Sequence, residues 1–440
     1  MSWEKCTKIL VSSIVFLSLI LTPSSLFMGL YISNNYSTKG ALIVGEYGFD
    51  TINETLKHAS DGDEIIVRAG VYREQVVINK SLKLFGEGFE KTVIETDALM
   101  DAVLIIANNV SVQGFTIRNC GGTAYSSGIR LVNASDCKIE NNLVEGKFIG
   151  IRLENGSCGN IIRNNILKGN QYGIFLMRRS SGNIIFNNSI LANGWNGIEL
   201  AWYSNNNVFE ANTIANNGGY GVEIPIYSPS YDNIFFHNNF LSNSLSNPPG
   251  GHVSDLHNNS WWFNGEGNFW DDYTFVDYNK DGIGDSWYCV NEEKATYDKF
   301  PLMGKFRCFE LIDKETISII SSSEILILNA SIFNGQANIH IYILENRPSG
   351  FLRLGVSRDI MRDLSCSLTD NVIYLNYWST STYNYVYLEY PSGEISIQVR
   401  GITEIPEFTI LPIILLAAML TLFFCFVGFI TKLKLTSFEL

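Results

Sequence analysis

This 440-residue chain is short of basic residues. Its 31 Lys and Arg stand against 44 Asp and Glu, for a formal charge of −13. A nucleic-acid partner wants a basic face, so that class of function is excluded. Histidine is scarce too: His58, His237, His252, His257 and His340 form no motif, and only His252 and His257 lie near one another. The seven Met are scattered, and none of the eight Cys belongs to a CxxC pair. Copper is usually held by clustered sulfur and imidazole, so copper is not an expected cofactor. The middle of the chain also lacks any helical stripe long enough for a leucine-rich or tetratricopeptide unit.

What is present is a repeat. Asn-Asn phrases occur at Asn141-Asn142, Asn164-Asn165, Asn187-Asn188 and Asn238-Asn239, with Ala211-Asn212 in the same series. Counted on the second residue, the steps are 23, 23, 24 and 27. A second phrase runs in phase: Gly128-Ile129, Gly150-Ile151, Gly173-Ile174, Gly197-Ile198 and Gly221-Val222. Two phrases on one period mark a solenoid. Each period holds short alternating pieces such as Lys138-Ile139-Glu140, punctuated by Gly and Asn, which tolerate left-handed backbone angles. A coil of two or three short strands makes one rung of a parallel β-helix. Rungs stack about 4.8 Å apart, and aligned Asn can bond as ladders. The Asn and Gly columns read as turn chemistry rather than as ligands.

Both ends are apolar. Lys5 and Lys8 precede the run Ile9–Leu21, the outline of a signal peptide or an N-terminal anchor within residues 1–32. Residues 408–430 carry no charge, are long enough to span a bilayer as a helix, and are followed by Lys432 and Lys434. The expected topology is an ectodomain outside the cell membrane and a cytoplasmic tail at 431–440. Outside the cell Cys can oxidise, and Cys137 with Cys158, or Cys308 with Cys366, are candidate bridges. Nine Asn-X-Ser/Thr sequons accompany them.

From Phe49 to Ala59 a short amphipathic helix is expected, with Ile52, Leu56 and Ala59 on one face and Asp50 or Thr51 as its cap. Then follow Ser60-Asp61-Gly62-Asp63, a strand, Gly70-Val71-Tyr72-Arg73-Glu74, Val76 to Leu82, Gly86 and Thr92-Val93-Ile94. This order resembles the opening of pectin-lyase-like right-handed β-helices, and most nearly the NosD-like group with carbohydrate-binding and sugar-hydrolase (CASH) domains. The resemblance runs from about Ala41 to Met303. It implies a right-handed parallel β-helix over 41–304, with the helix capping its apolar end. The close of the region, Asp277 to Asp285 and then Lys299-Phe300-Pro301-Leu302-Met303, is similar to the close of many archaeal chains of that group, with Phe300 in place of Tyr. The catalytic sets of that superfamily's polygalacturonases and lyases have no counterpart here. Residues 305–403 lose the Asn phrases and hold about seven short alternating runs, including Tyr385–Tyr390 and Glu394–Val399. A β-sandwich-like domain is expected there.

Two constellations can carry chemistry. In the closing loop Asp277, Asn279, Asp281, the Ile283 carbonyl and Asp285 alternate as oxygen ligands for a structural Ca2+, with Gly282 at the sharp turn. The twelfth position is Tyr288, so this is no EF-hand, and Asp271 or Asp272 would have to close the shell. The second is the column two residues after each repeat Gly: Arg130, Arg152, Phe175, Glu199, Glu223. It is expected to face outward while Ile129, Ile151, Ile174, Ile198 and Val222 face inward. Glu199 and Glu223 fall on adjacent rungs, about 5 Å apart, a spacing compatible with a retaining glycosidase pair. Arg152, Phe175, Trp202, Tyr203 and Tyr227 are the candidate sugar-binding residues, with Trp195 and Tyr220 near the same face. The expected work is binding polysaccharide or glycan at the cell surface. The alternatives are a polysaccharide hydrolase or lyase, or a structural surface protein partnering a transporter or surface layer.

Overall fold

The computed structural model describes residues 41–402 except 97–99, 120–124, 245–250, 311–315, 334–335, 359–363 and 369–371. The segments 1–32 and 408–430, expected to enter a membrane, lie outside the described residues. Among the described residues no helix is long and apolar enough to cross a membrane. The chain divides into two compact units between Cys308 and Phe309.

The first unit is a coil of parallel strands, mostly three residues long, in three sheets of nine, nine and eight strands. The first sheet runs from Leu42–Val44 to Ile234–Phe236, the second from Gly70–Arg73 to Phe269–Trp270, and the third from Val76–Ile78 to Val253–Asp255. Strands this short bury one or two side chains each, so the core is made by stacking. Ile129, Ile151, Ile174, Ile198 and Val222 form one such inward stack, all fully buried and in register. Toward the last coils the stacks turn aromatic: Phe209, Phe235 and Trp261 lie face to face, as do Phe240, Trp270 and Tyr288. Helix α1 (Ile52–His58) covers the first coil. Thr51 caps it by accepting the Glu54 N–H, and Ile52, Leu56 and Ala59 join the core.

All three corners use one two-residue device. The first residue takes a left-handed backbone: Asn141, Asn164, Asn187, Ala211 and His237 at one corner, Gly146, Gly169, Ala192, Asn216 and Ser242 at the next, and Asp136, Gly159, Gly182, Asn206 and Asp232 at the third. The residue after it usually points inward, and in most coils it is Asn. The inner Asn form three ladders: Asn142–165–188–212–238–268, Asn160–183–207–233–259 and Asn170–193–217–243. Asn165 shows the pattern. Its Oδ1 accepts the backbone N–H and Nδ2 of Asn142 at 3.0 and 3.1 Å, while its Nδ2 donates to Ile139 O at 2.8 Å and Asn188 Oδ1 at 3.0 Å. A corner buried in a stack has no water, so the side chain supplies what the turned backbone lacks. The two residues of each Asn pair therefore do different work: the first turns the chain and the second bonds to the neighbouring coils.

This corrects one register. Asn212 aligns with Asn238, and Thr213 with Asn239, so the last step is 26 residues and not 27. The loop after Ile224 is accommodated outside the ladders. Each ladder runs out of Asn at the same end and finishes on a buried acceptor. Asn268 donates to Asp298, which also takes the Trp270 indole and the Phe300 N–H. Asn259 donates to Asp255, which also takes the Trp261 indole. Asn243 turns its Nδ2 to His252 Nδ1 at 3.3 Å. Burial pushes the carboxyl groups of Asp255 and Asp298 up, that of Asp298 to about 7, against the bonds they receive.

Cys137 and Cys158 sit on adjacent coils but are free thiols, so the expected bridge between them is not formed. Cys137 is buried and its Sγ bonds to the Ala107 carbonyl oxygen. The Cys366 side chain is among those not described.

The second unit is an antiparallel sheet around two long strands, Gln336–Ser357 and Tyr383–Ile402. The expected short strands Tyr385–Tyr390 and Glu394–Val399 are one continuous strand. Its Pro391 is tolerated because the pairing shifts between Glu345 and Ser349, opposite Pro391 and Gly393. One half of the long pair is flanked by Glu324–Phe333 and Leu364–Leu368, the other by Thr316–Ser321 and Tyr374–Ser379. Ile341 and Ile397 from one half and Leu354 and Leu388 from the other share a buried cluster.

The ladders make a stability prediction. Asn188→Ala removes the acceptor of two Asn165 donors and the amide that donates to Ile162 O; it should cost about 2–4 kcal/mol. Asp298→Ala, which strips acceptors from Asn268, Trp270 and Phe300, should cost at least as much. Asn187→Gly, at an exposed left-handed position, should shift the urea midpoint little. Equal midpoints for all three variants would remove the ladders from the account of stability.

Candidate functional site

The outward face of the third sheet carries an unbroken column. Leu104, Arg130, Arg152, Phe175, Glu199, Glu223 and Ser254 are successive partners across its strands. Alternation along each strand turns the column outward because its neighbours fill the core. The column is nevertheless half-covered, and Glu199 is only 9 % exposed.

Its two ends differ in charge. At one end Arg130 bonds to Glu154 and, at 3.0 Å, to Asp101, while Arg152 reaches Glu154 at 2.5 Å. Two guanidinium groups thus face two carboxylates, and Glu154 is fully buried. Burial lowers the Arg152 pKa, with Glu154 opposing, and its Nε has no hydrogen-bond partner. At the other end Glu199 and Glu223 meet no cation among the described residues. A single amide lies between them: Asn196 Nδ2 donates to Glu199 Oε2 at 3.2 Å and to Glu223 Oε2. Burial, and then the Glu223 charge, push the Glu199 carboxyl up to about 7. The Tyr172 hydroxyl is pushed up as well, by burial and by both glutamates.

Beside the column runs a ridge of aromatic rings, one from each coil at or just before the start of its third-sheet strand. Tyr125 and Phe148 have centroids 5.3 Å apart, Phe148 and Trp195 5.5 Å, Tyr172 and Trp195 5.1 Å, and Tyr172 and Phe175 5.5 Å. Most of these contacts are tilted or edge-to-face, the arrangement ring quadrupoles favour. Tyr125 and Trp195 are exposed along the ridge.

Of the residues expected from sequence, Arg152, Phe175, Glu199 and Glu223 share the column. Trp202 and Tyr203 do not join the ridge; they occupy left-handed positions at the corner beyond the other end of the strand. There Arg178 lies 5.7 Å from the Trp202 ring, and Tyr227 is exposed. The residues that sequence reasoning missed are Tyr125, Phe148, Tyr172, Asn196, Asp101 and Glu154. A signal existed: an aromatic stands one to three residues before each repeat Gly, from Tyr125 to Tyr220. Its varying offset hid the alignment.

In the closing loop Asp277 accepts N–H groups of Lys280, Asp281 and Gly282, Asn279 that of Asp281, Asp281 that of Ile283, and Asp285 that of Tyr278. Gly282 is left-handed, as the turn requires. Asp271 and Asp272 face His252, whose Nε2 is 2.9 Å from Asp271.

The stacked three-sheet coil defines the class: a parallel β-solenoid. Residues 56–275 match the family described as "Periplasmic copper-binding protein (NosD)", and the chain belongs to that family. A "Cell surface glycoprotein" of Methanothermus fervidus is 35 % identical over 103 residues, 23 % of this chain and 16 % of that protein. Among solved structures, the catalytic domain of a GH87 alpha-1,3-glucanase in complex with nigerose is similar, with TM-score 0.42 and 16 % identity over 54 % of this chain and 45 % of that one. So is the Dettilon tailspike protein, with TM-score 0.36 and 12 % identity over 80 % and 89 %. At these scores the likenesses carry no argument about chemistry.

The family description raises copper. Among the described residues the group that gathers three metal-binding side chains is His252, Asp271 and Asp272. It does not fit. It holds no sulfur, and the Asn243 amide donates to His252 Nδ1, so Nε2 bears the proton and turns it to Asp271. No imidazole lone pair is left for a metal. His257, the other member of the near pair, bonds to Pro225 O.

Glu199 gives a pH prediction. Its folded pKa, about 7, lies above the ordinary 4.5. The folded protein therefore keeps a proton that the unfolded chain loses, and stability falls as pH rises through that window. Relative to wild type, Glu199→Gln should gain on the order of 2 kcal/mol between pH 5 and pH 8. A difference in denaturation midpoint that stays constant across pH would mean that Glu199 is ionised throughout.

Proposed function

We propose that this protein is a surface solenoid that binds glycan along the outward face of its third sheet. The observation that carries the reading is the aromatic ridge from Tyr125 to Trp195 beside a polar column. Pyranose rings present apolar faces to aromatic rings and hydroxyls to carboxylates and amides. Coils stack about 4.8 Å apart, close to the length of one sugar unit, so a chain lying along the coil axis would meet a ring and a polar side chain at each step. The reading includes a right-handed coil, an ectodomain held by the 408–430 segment with a cytoplasmic tail, and the second unit as a β-sandwich stalk. The name of the Methanothermus fervidus relative supports a place at the cell surface.

The polar pair favours binding over cleavage. Glycosidase carboxyl groups flank the scissile bond, one to protonate it and one to attack or to activate water. Glu199 and Glu223 stand side by side in one column and share one amide donor, so no glycosidic oxygen fits between them.

A polysaccharide screen with the full-length protein tests this. Retention on at least one polysaccharide, without new reducing or unsaturated ends, is expected. Trp195→Ala should weaken retention tenfold or more while leaving the folded spectrum intact. New ends that vanish in Glu199→Gln or Glu223→Gln would instead make the protein an enzyme.

The Asp277–Asp285 loop belongs to the same reading as a calcium-stiffened close. Its backbone bonds already set the loop's shape, and a hard cation would relieve repulsion among its carboxylates. Added calcium should raise the melting temperature of wild type and leave Asp281→Ala unmoved. An equal rise in both would assign the effect to another site.

A further inference from the structure

Resting on the glycan-binding reading, we infer that the Glu199–Glu223 end of the ridge is a subsite for a protonated amine, so that the bound glycan carries unacetylated amino sugars. Charge around the column leads there. The Arg130 and Arg152 end is balanced by Asp101 and Glu154 and offers a polyanion no free cation. The other end keeps two carboxyl groups without a cation among the described residues. Asn196 engages Oε2 of each, and among the described residues each Oε1 has no partner.

The surroundings suit an ammonium group better than a metal ion. Two carboxylates fall well short of the six to eight oxygens calcium takes. Tyr172 and Trp195 stand edge to face beside the pair. Rings next to carboxylates hold organic cations through their negative faces as well as through ion pairing. An amine docked here also overcomes what the pair lacks when empty, since adjacent carboxylates repel and one tends to stay protonated. An acetylated amine, bulkier and uncharged, gains none of this. A uronate meets like charge, within a chain whose formal charge is already −13.

The test measures binding of three oligosaccharides of equal length to the full-length protein at pH 6: a glucosamine oligomer, its N-acetylated form and a galacturonate oligomer. The glucosamine oligomer is expected to bind at least tenfold tighter than the acetylated one, and the uronate weakest. Glu223→Gln should remove most of that preference, whereas Trp195→Ala should weaken both amino-sugar ligands alike. Equal affinities, or a preference for the acetylated or uronate oligomer that still depends on Trp195, would overturn the amine subsite and leave the ridge as a glycan platform. Binding of none of the three, or binding indifferent to both substitutions, would overturn the subsite and count against the ridge itself.

Discussion

A solenoid must turn its chain three times in every coil and bury each turn against the next, and the rest of this structure depends on how that is done. A turned backbone exposes N–H and C=O groups that no strand partner reaches, and in a stack no water reaches them either. Here an inward Asn amide answers, with one oxygen for the preceding coil and one NH2 shared between neighbours. The left-handed residue before it aims the amide inward. Because every ladder is polarised the same way, each ends with an unspent donor at the same end of the coil. The chain meets those donors with Asp298, Asp255 and His252. The closing segment of the solenoid is thus required by the ladders' direction as much as by the apolar end it covers.

The same constraint shapes the outer face. Short strands locked in register hold outward side chains in columns, so chemistry on a solenoid is written one residue per coil. The third sheet gathers a balanced charge cluster, a ring, and an unbalanced acidic pair within consecutive coils. The aromatic ridge rides on the corner that leads into that sheet. Corners tolerate variation in what points outward because the ladder already secures the backbone.

The family description and the described residues part company over copper. The belonging is carried by the coil, and a coil can be inherited while the groups on it change. His252 here finishes a ladder, and its protonated nitrogen faces Asp271.

By itself the sequence determined the coil, because its physical cause is periodic. Inward Ile and paired Asn recur once per coil, and alternation alone placed Ile129, Ile151, Ile174, Ile198 and Val222 inside and Arg130 through Glu223 outside. The repeat Gly, expected to turn the chain, instead stands at the start of each third-sheet strand without a left-handed angle, where a Cβ would strike the backbone of the next coil. The adjacency of Glu199 and Glu223 followed from the same count. The register slip at Asn238 shows the limit: two adjacent Asn look alike in sequence, and only backbone handedness says which turns and which bonds. The ridge was beyond a fixed count, since Tyr125, Phe148, Tyr172 and Trp195 stand at different distances from their strands and meet only when corners of different shape are stacked. The ladder ends, the Asn196 bridge and the free thiols of Cys137 and Cys158 were likewise decided by tertiary structure. Each depends on where a side chain points across coils, and spacing along the chain carries no record of that.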